Sequence, residues 1–229
     1  MDRSVARVGA WAGVISVIGI AGYHLGLMIV AGQRVSGTTD AAAITKYYRN
    51  EAIAAFGVEL FLVVVPIFVF AVALRETLST TSWARFLVTI GLVALVTEMA
   101  VNLTGIAAQM SLVVIARSGG DVVPLFRFWD TLYNSGAYAL EAGWVAAFGL
   151  AMRDVVGFPR WLTAFSLVTA ALLALNVFAI WVGIPDTATL PSALFLLIWF
   201  VSTSYGLSRG AMRATQMAEG PAMNARATS

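Results

Sequence analysis

Residues 84–111 read ARFLVTIGLVALVTEMAVNLTGIAAQMS. A helix needs about 20 mostly apolar residues to cross a bilayer. This stretch exceeds that length, with Arg85 at its start and a lone acid, Glu98, near its middle. It therefore reads as a membrane span that carries a costly ionisable group. Five further stretches read the same way, at approximately 8–31, 52–75, 126–152, 159–184 and 190–208. The predicted fold is all-α: an integral membrane bundle of six transmembrane helices. The spans at 84–111 and 126–152 are long and are expected to tilt or protrude. Ser118-Gly119-Gly120-Asp121 marks the turn between them, with Pro124 as a breaker.

Composition agrees. The chain has 229 residues, of which 60% are hydrophobic and 11% charged, and its mean hydropathy is +0.86. A soluble globular protein carries about 25% charged residues, and a disordered one has far less apolar content. With no cysteine, disulfides, thiolate metal sites, iron–sulfur clusters and cysteine nucleophiles are excluded. The single histidine, His24, excludes a bis-histidine haem within the chain. The Arg bias over Lys and the Ala/Val richness suggest a bacterial source with a GC-rich genome.

The net charge of +2 comes mostly from arginines at helix ends. Orientation in a bilayer explains these better than nucleic-acid binding, and no nucleic-acid partner is expected. One side holds Arg3, Arg7, Arg75, Arg85, Arg153, Arg160, Arg209, Arg213 and Arg226; the other holds Arg34, Lys46, Arg49, Arg117 and Arg127. The bias places both termini in the cytoplasm, in a multi-pass protein of the plasma (inner) membrane. The N-terminal apolar run is too long for a cleaved signal and reads as a retained first helix. Trp161, Trp181 and Trp199 are expected in interfacial belts. In the outer loop, Thr39-Asp40 is expected to cap a short helix from Ala41 to Tyr48 on the outer surface. One domain spans 1–213, and 214–229 reads as a polar, disordered tail.

Ionisable groups inside a membrane are functional suspects because burying them is costly. His24, Glu59, Glu98, Asp130 and Glu141 are such groups, joined by Asn102, Asn134, Tyr138 and Asn176. Counted from each helix's cytoplasmic arginine at about 1.5 Å per residue, those other than Asp130 and Asn134 lie roughly 18–26 Å up, in one outer-half layer. Glu98, Asn102, Gly105 and Gln109 share a helix face, as do Asp130, Asn134, Ala137 and Glu141. Gly9, Gly13, Ser16, Ile20 and His24 form a stripe that should aim His24 into the bundle. Pro66, on the face of Glu59, leaves the carbonyl of Leu62 without its helix partner.

Plainer readings stand beside these. His24, Asn134 and Asn176 can be interhelical hydrogen bonders, and Glu59 a protonated acid bonded to nearby backbone. Asp130 suits the outer water boundary or a pair with Arg127. Trp144 and Phe148 suit the core or a lipid-facing position.

A shared pocket of carboxyls and a histidine suits acid–base work. A carboxyl removed from water favours its neutral form, so at least one of Glu59, Glu98 and Glu141 is expected to carry a proton. The expected chemistry is acid–base catalysis on a small lipophilic, isoprenoid-like substrate entering from the lipid bilayer, such as terpene cyclisation or isomerisation. Glu98 and Glu141 are the acid/base candidates, with His24 and Glu59 as partners. Asn102, Tyr138, Asn134, Trp144 and Asn176 would contact substrate. No cofactor and no metal is expected, since a zinc site would have to combine His24 with carboxylates. HExxH, GxSxG, Walker-type and di-iron spacings are absent from the sequence. The same residues would serve a proton-coupled carrier, although no inverted repeat is visible. A non-catalytic accessory or sensory subunit would use them only to fix helix packing.

Three segments carry a resemblance: Val8-Gly9-Ala10-Trp11-Ala12-Gly13, Asn50-Glu51-Ala52-Ile53-Ala54-Ala55-Phe56-Gly57 and Phe158-Pro159-Arg160-Trp161-Leu162. In layout the chain resembles the bacterial membrane family of the domain-of-unknown-function 4386 type. The resemblance implies a six-helix architecture and transfers no site residue.

Overall fold

The computed structural model describes residues 3–32, 35, 37, 38, 40–50, 57, 59–182 and 190–227, with backbone alone at 180, 181, 190 and 211–227. Arg34, Thr39, most of 51–58, the end of the fifth expected span and the side chains of Trp181, Arg213 and Arg226 lie outside the described residues. Among the described residues every regular element is helical.

The helices are α1 (Arg3–Ala31), α2 (Ala41–Asn50), α3 (Val65–Leu78), α4 (Ser82–Ser118), α5 (Val123–Thr131), α6 (Tyr138–Ala151), α7 (Arg160–Trp181) and α8 (Leu190–Ala227). Two π-helical segments interrupt them, Leu60–Val64 ahead of α3 and Leu132–Ala137 between α5 and α6. Five helices are long and apolar enough to cross a membrane, which makes this a multi-pass membrane protein by length and composition. The stretch expected as the fourth span, 126–152, is not one regular helix. It lies within three consecutive pieces, α5, the second π-helical segment and α6.

Local chemistry explains the boundaries. Thr81 caps α4 by accepting a hydrogen bond from the N–H of Ala84. That helix stops at Gly119, whose φ of 79° suits a residue without Cβ, and the N–H of Gly120 returns to the carbonyl of Ile115 at 3.0 Å. Asp121 accepts from the N–H of Val123 at 3.0 Å as α5 begins. The first π-helical segment has a visible cause. Pro66 has no N–H for the carbonyl of Leu62, and one turn earlier the ladder widens so that the N–H of Val65 bonds Leu60. The Leu62 carbonyl then lies against Gly19 of α1, where a Cβ would come within 2.3 Å of its oxygen.

Close approaches of this kind set the packing. Gly9 faces Ala73, and Gly13 faces Phe70 and Ser204, so α1 runs antiparallel to both α3 and α8. Gly91 faces Phe148 and Gly149 faces Ser166, which brings α6 between α4 and α7. The main core gathers Phe70, Trp144, Phe148, Trp199 and Phe200. Trp199 was expected in an interfacial belt, but it is fully buried, with its N–H donating to Ser166 at 2.7 Å. Its position mid-helix in α8, facing α3 and α6, decides this. Trp161 is 57% exposed.

A second core lies where Ile44, Tyr47 and Tyr48 of α2 pack on Leu112, Val113, Ala116, Phe126 and Trp129. Asp40 caps α2 as expected, accepting from the N–H groups of Ala42 and Ala43. Arg49 ties the other end down by donating to the carbonyl of Ala116 at 2.8 Å. The last helix continues to Ala227, and Ala, Met, Gln and Glu in its final stretch are good helix formers.

Candidate functional site

Glu98 sits at the centre of the polar arrangement. It occupies the buried face of α4 and is only 2% exposed. Asn102, one turn on, donates to its Oε1 at 2.8 Å. Trp144 of α6 donates its indole N–H to Oε2 at 2.5 Å. Glu141, three residues before Trp144 and so on the same face of α6, brings its carboxyl within hydrogen-bonding reach of Glu98. As a residue Glu141 is half-buried, but its Oε2 has no contact with solvent and receives no N–H or O–H donor. The Glu98 carboxyl is its ionisable neighbour across the α4–α6 contact.

An ionised carboxylate only accepts hydrogen bonds. A bond between two carboxyls therefore exists only when one of them carries a proton. The walls around the pair are apolar and tightly packed. Trp144 is 1% exposed and meets Phe148, Trp199 and Phe200 at ring-centroid distances of 6.3, 5.3 and 5.8 Å. Leu95 and Met99 flank Glu98 on its own helix and are also buried.

The other expected site residues do not converge on this pair. His24 is exposed, with its ring edge-on to Tyr23 at 5.3 Å, and it does not point into the bundle. The four-residue stripe overshoots, because fifteen residues at about 100° each carry His24 roughly 60° past Gly9. Tyr23 and Leu27 take the buried positions instead. Glu59 is half-buried just before the first π-helical segment. Asn134 is buried within the second and donates to Asp130 at 2.9 Å. Asp130 in turn accepts from the N–H of Gly37 at 3.1 Å, so it holds the segment between α1 and α2. Tyr138 is half-buried and meets Tyr133 edge-on at 6.0 Å. Asn176 is bonded to Ser192, which joins α7 to α8.

Trp144, expected against substrate, donates the hydrogen bond that anchors Glu98. Its three-residue spacing from Glu141 was the available signal. Ser192 and Ser166, the partners of Asn176 and Trp199, had none. Among the described residues no group of three or more histidines, acids or cysteines could hold a metal ion. The fold and this pair define a multi-pass membrane protein with a buried acidic pair. No family model, no curated protein and no solved structure matches the chain.

Proposed function

We propose that this is a six-span protein of the bacterial plasma membrane, with both termini in the cytoplasm and α5–α6 as its fourth span. Its Glu98–Glu141 pair takes up and releases a single proton as part of the proton-coupled movement of a small molecule. The burial of two carboxyls where α4 faces α6 carries this reading: Glu98 is held by Trp144, and Glu141 Oε2 is shut away from solvent three residues before that tryptophan. The π-helical segments favour a carrier over a rigid scaffold. One precedes α3 and the other leads directly into the helix of Glu141, and such segments interrupt the regular ladder where helices adjust.

Acid–base catalysis on a lipophilic, isoprenoid-like substrate is the second reading. The aromatic wall of Trp144 and Phe148 beside the pair favours it, because such rings stabilise developing positive charge.

Infrared spectroscopy of the protein in proteoliposomes tests the shared proposal. A carboxylic-acid carbonyl band should be present and should disappear in both Glu98→Gln and Glu141→Gln. A band unchanged by both substitutions sinks the reading. Vesicles loaded with a pH dye and offered lipophilic weak bases and weak acids separate the two uses. A carrier gives a solute-driven pH change faster than that of protein-free vesicles, and the excess is lost in Glu98→Gln. An enzyme gives no such excess, but converts isoprenoid substrate in the same vesicles.

A further inference from the structure

A groove of about 390 Å³ runs between the start of α1 and the end of α3, lined by Ser4, Val5, Val8, Phe68, Val69, Val72 and Ala73. Its floor is fixed by the close contact of Gly9 with Ala73 one turn further in. Val8, Phe68, Val69 and Val72 present their side chains outward, so the groove opens where lipid would lie. The lining is apolar except for Ser4, at the end nearest the arginines of α1.

At that mouth the helix register places opposite charges together. Glu76 follows Val72 by four residues and Ala73 by three, which puts it on the groove face of α3 one turn nearer the helix end. Arg75 is beside it, 3.4 Å away, and both side chains are more than half exposed. Arg7 of α1 precedes Val8 at the same end. An acyl chain fits the apolar lining, and a headgroup at the mouth would meet a cation and an anion side by side.

We propose that this groove holds a phospholipid with a primary-amine headgroup, of the phosphatidylethanolamine class. One acyl chain lies along Val5, Val8, Val69 and Val72. The headgroup phosphate is met by Arg75 and Arg7, and the ammonium by Glu76. An anionic lipid without an amine would leave Glu76 with no ammonium to accept from, and a trimethylated amine would lack N–H groups to donate to it. The site depends on the chain being in a membrane and not on the acidic pair.

Native mass spectrometry of the full chain, released from vesicles of equal phosphatidylethanolamine, phosphatidylcholine and phosphatidylglycerol, tests it. Ethanolamine lipid should be retained about threefold over the other two, the scale of an ion contact at a wet surface. Glu76→Gln should erase that preference while lipid is still retained. Val72→Trp, at a position 51% exposed and so harmless to the core, should lower retention of all three lipids. Inorganic phosphate at millimolar concentration should displace none of them. Equal retention of the three lipids by the unmodified protein overturns the proposal. So does retention unaffected by Val72→Trp, and displacement by phosphate would mean an anion site with no role for the chain.

Discussion

Around Glu98, α4 and α6 meet through polar side chains with named partners. Across the bundle, α1 meets α3 and α8 through glycines, where side chains are missing. At the first contact Glu98 accepts from Trp144 and Asn102, and the geometry of each bond fixes where the helices sit. At the second, Gly9, Gly13 and Gly19 let backbone approach side chain or carbonyl directly, and dispersion between close surfaces holds the helices. Lipid is as apolar as a leucine side chain, so neither contact gains from a hydrophobic drive between helices. The difference teaches that this chain uses two kinds of specificity. One is steric and tolerates no added atom; the other is chemical and tolerates no lost acceptor.

The steric contact should break hardest. A Cβ at Gly13 would come 2.2 Å from Ser204 Oγ and 2.8 Å from Phe70. Gly13→Leu should cost at least about 3 kcal/mol by forcing the helices apart. For a chain this size that lowers the melting midpoint in detergent by roughly 6–12 °C. A midpoint within a degree of the unmodified protein would mean that α1 does not pack as closely as described.

The chemical contact comes next. Glu98→Leu removes the acceptors of two donors, the buried indole N–H of Trp144 and the half-buried amide of Asn102. Leaving them unmet should cost about 2–3 kcal/mol. Glu98→Gln keeps an acceptor and should cost about half as much, while still abolishing proton exchange. If both substitutions destabilise equally, the hydrogen bonds are not what matters at this position. A double-mutant cycle between Glu98→Gln and Glu141→Gln sharpens the point. If the two carboxyls share a proton, the cycle should show a coupling of about 1 kcal/mol in stability, and a purely additive pair would mean they do not.

Much of this contrast was readable in the sequence, for physical reasons that can be named. The four-residue spacing of Glu98 and Asn102 on one apolar helix put them on a common face, and they are bonded there. Counting depth from the terminal arginines set Glu98 and Glu141 at similar heights, and Trp144, three residues after Glu141, bonds Glu98. Depth says nothing about rotation, which is why His24 shares the level but faces outward. The stripe from Gly9 to His24 steps by more than 3.6 residues on average, and over four turns the drift moved the buried position from His24 to Tyr23. The first π-helical segment had a sequence cause in Pro66. The second contains no proline, and only Gly136 hints at it, so the fourth expected span looked continuous. The glycine contacts of α1 were visible as small residues, but not which carbonyl or methyl group each would meet.

A third contact, between α7 and α8, lies between the two extremes and gives the smallest expected effect. Asn176 and Ser192 bond to each other in a buried position, away from both the acidic pair and the glycine stripe. Hydrogen bonds between membrane helices average only about 0.6 kcal/mol, because the separated helices also find partners within the membrane. Asn176→Leu should therefore lower the melting midpoint by about 1–2 °C. It should leave the carboxylic-acid infrared band unchanged, since Glu98 and Glu141 lie on other helices. Loss of that band in Asn176→Leu would join the third contact to the proton-exchanging pair. The comparison would then be between one continuous polar network and one steric seam, with no independent bond between α7 and α8.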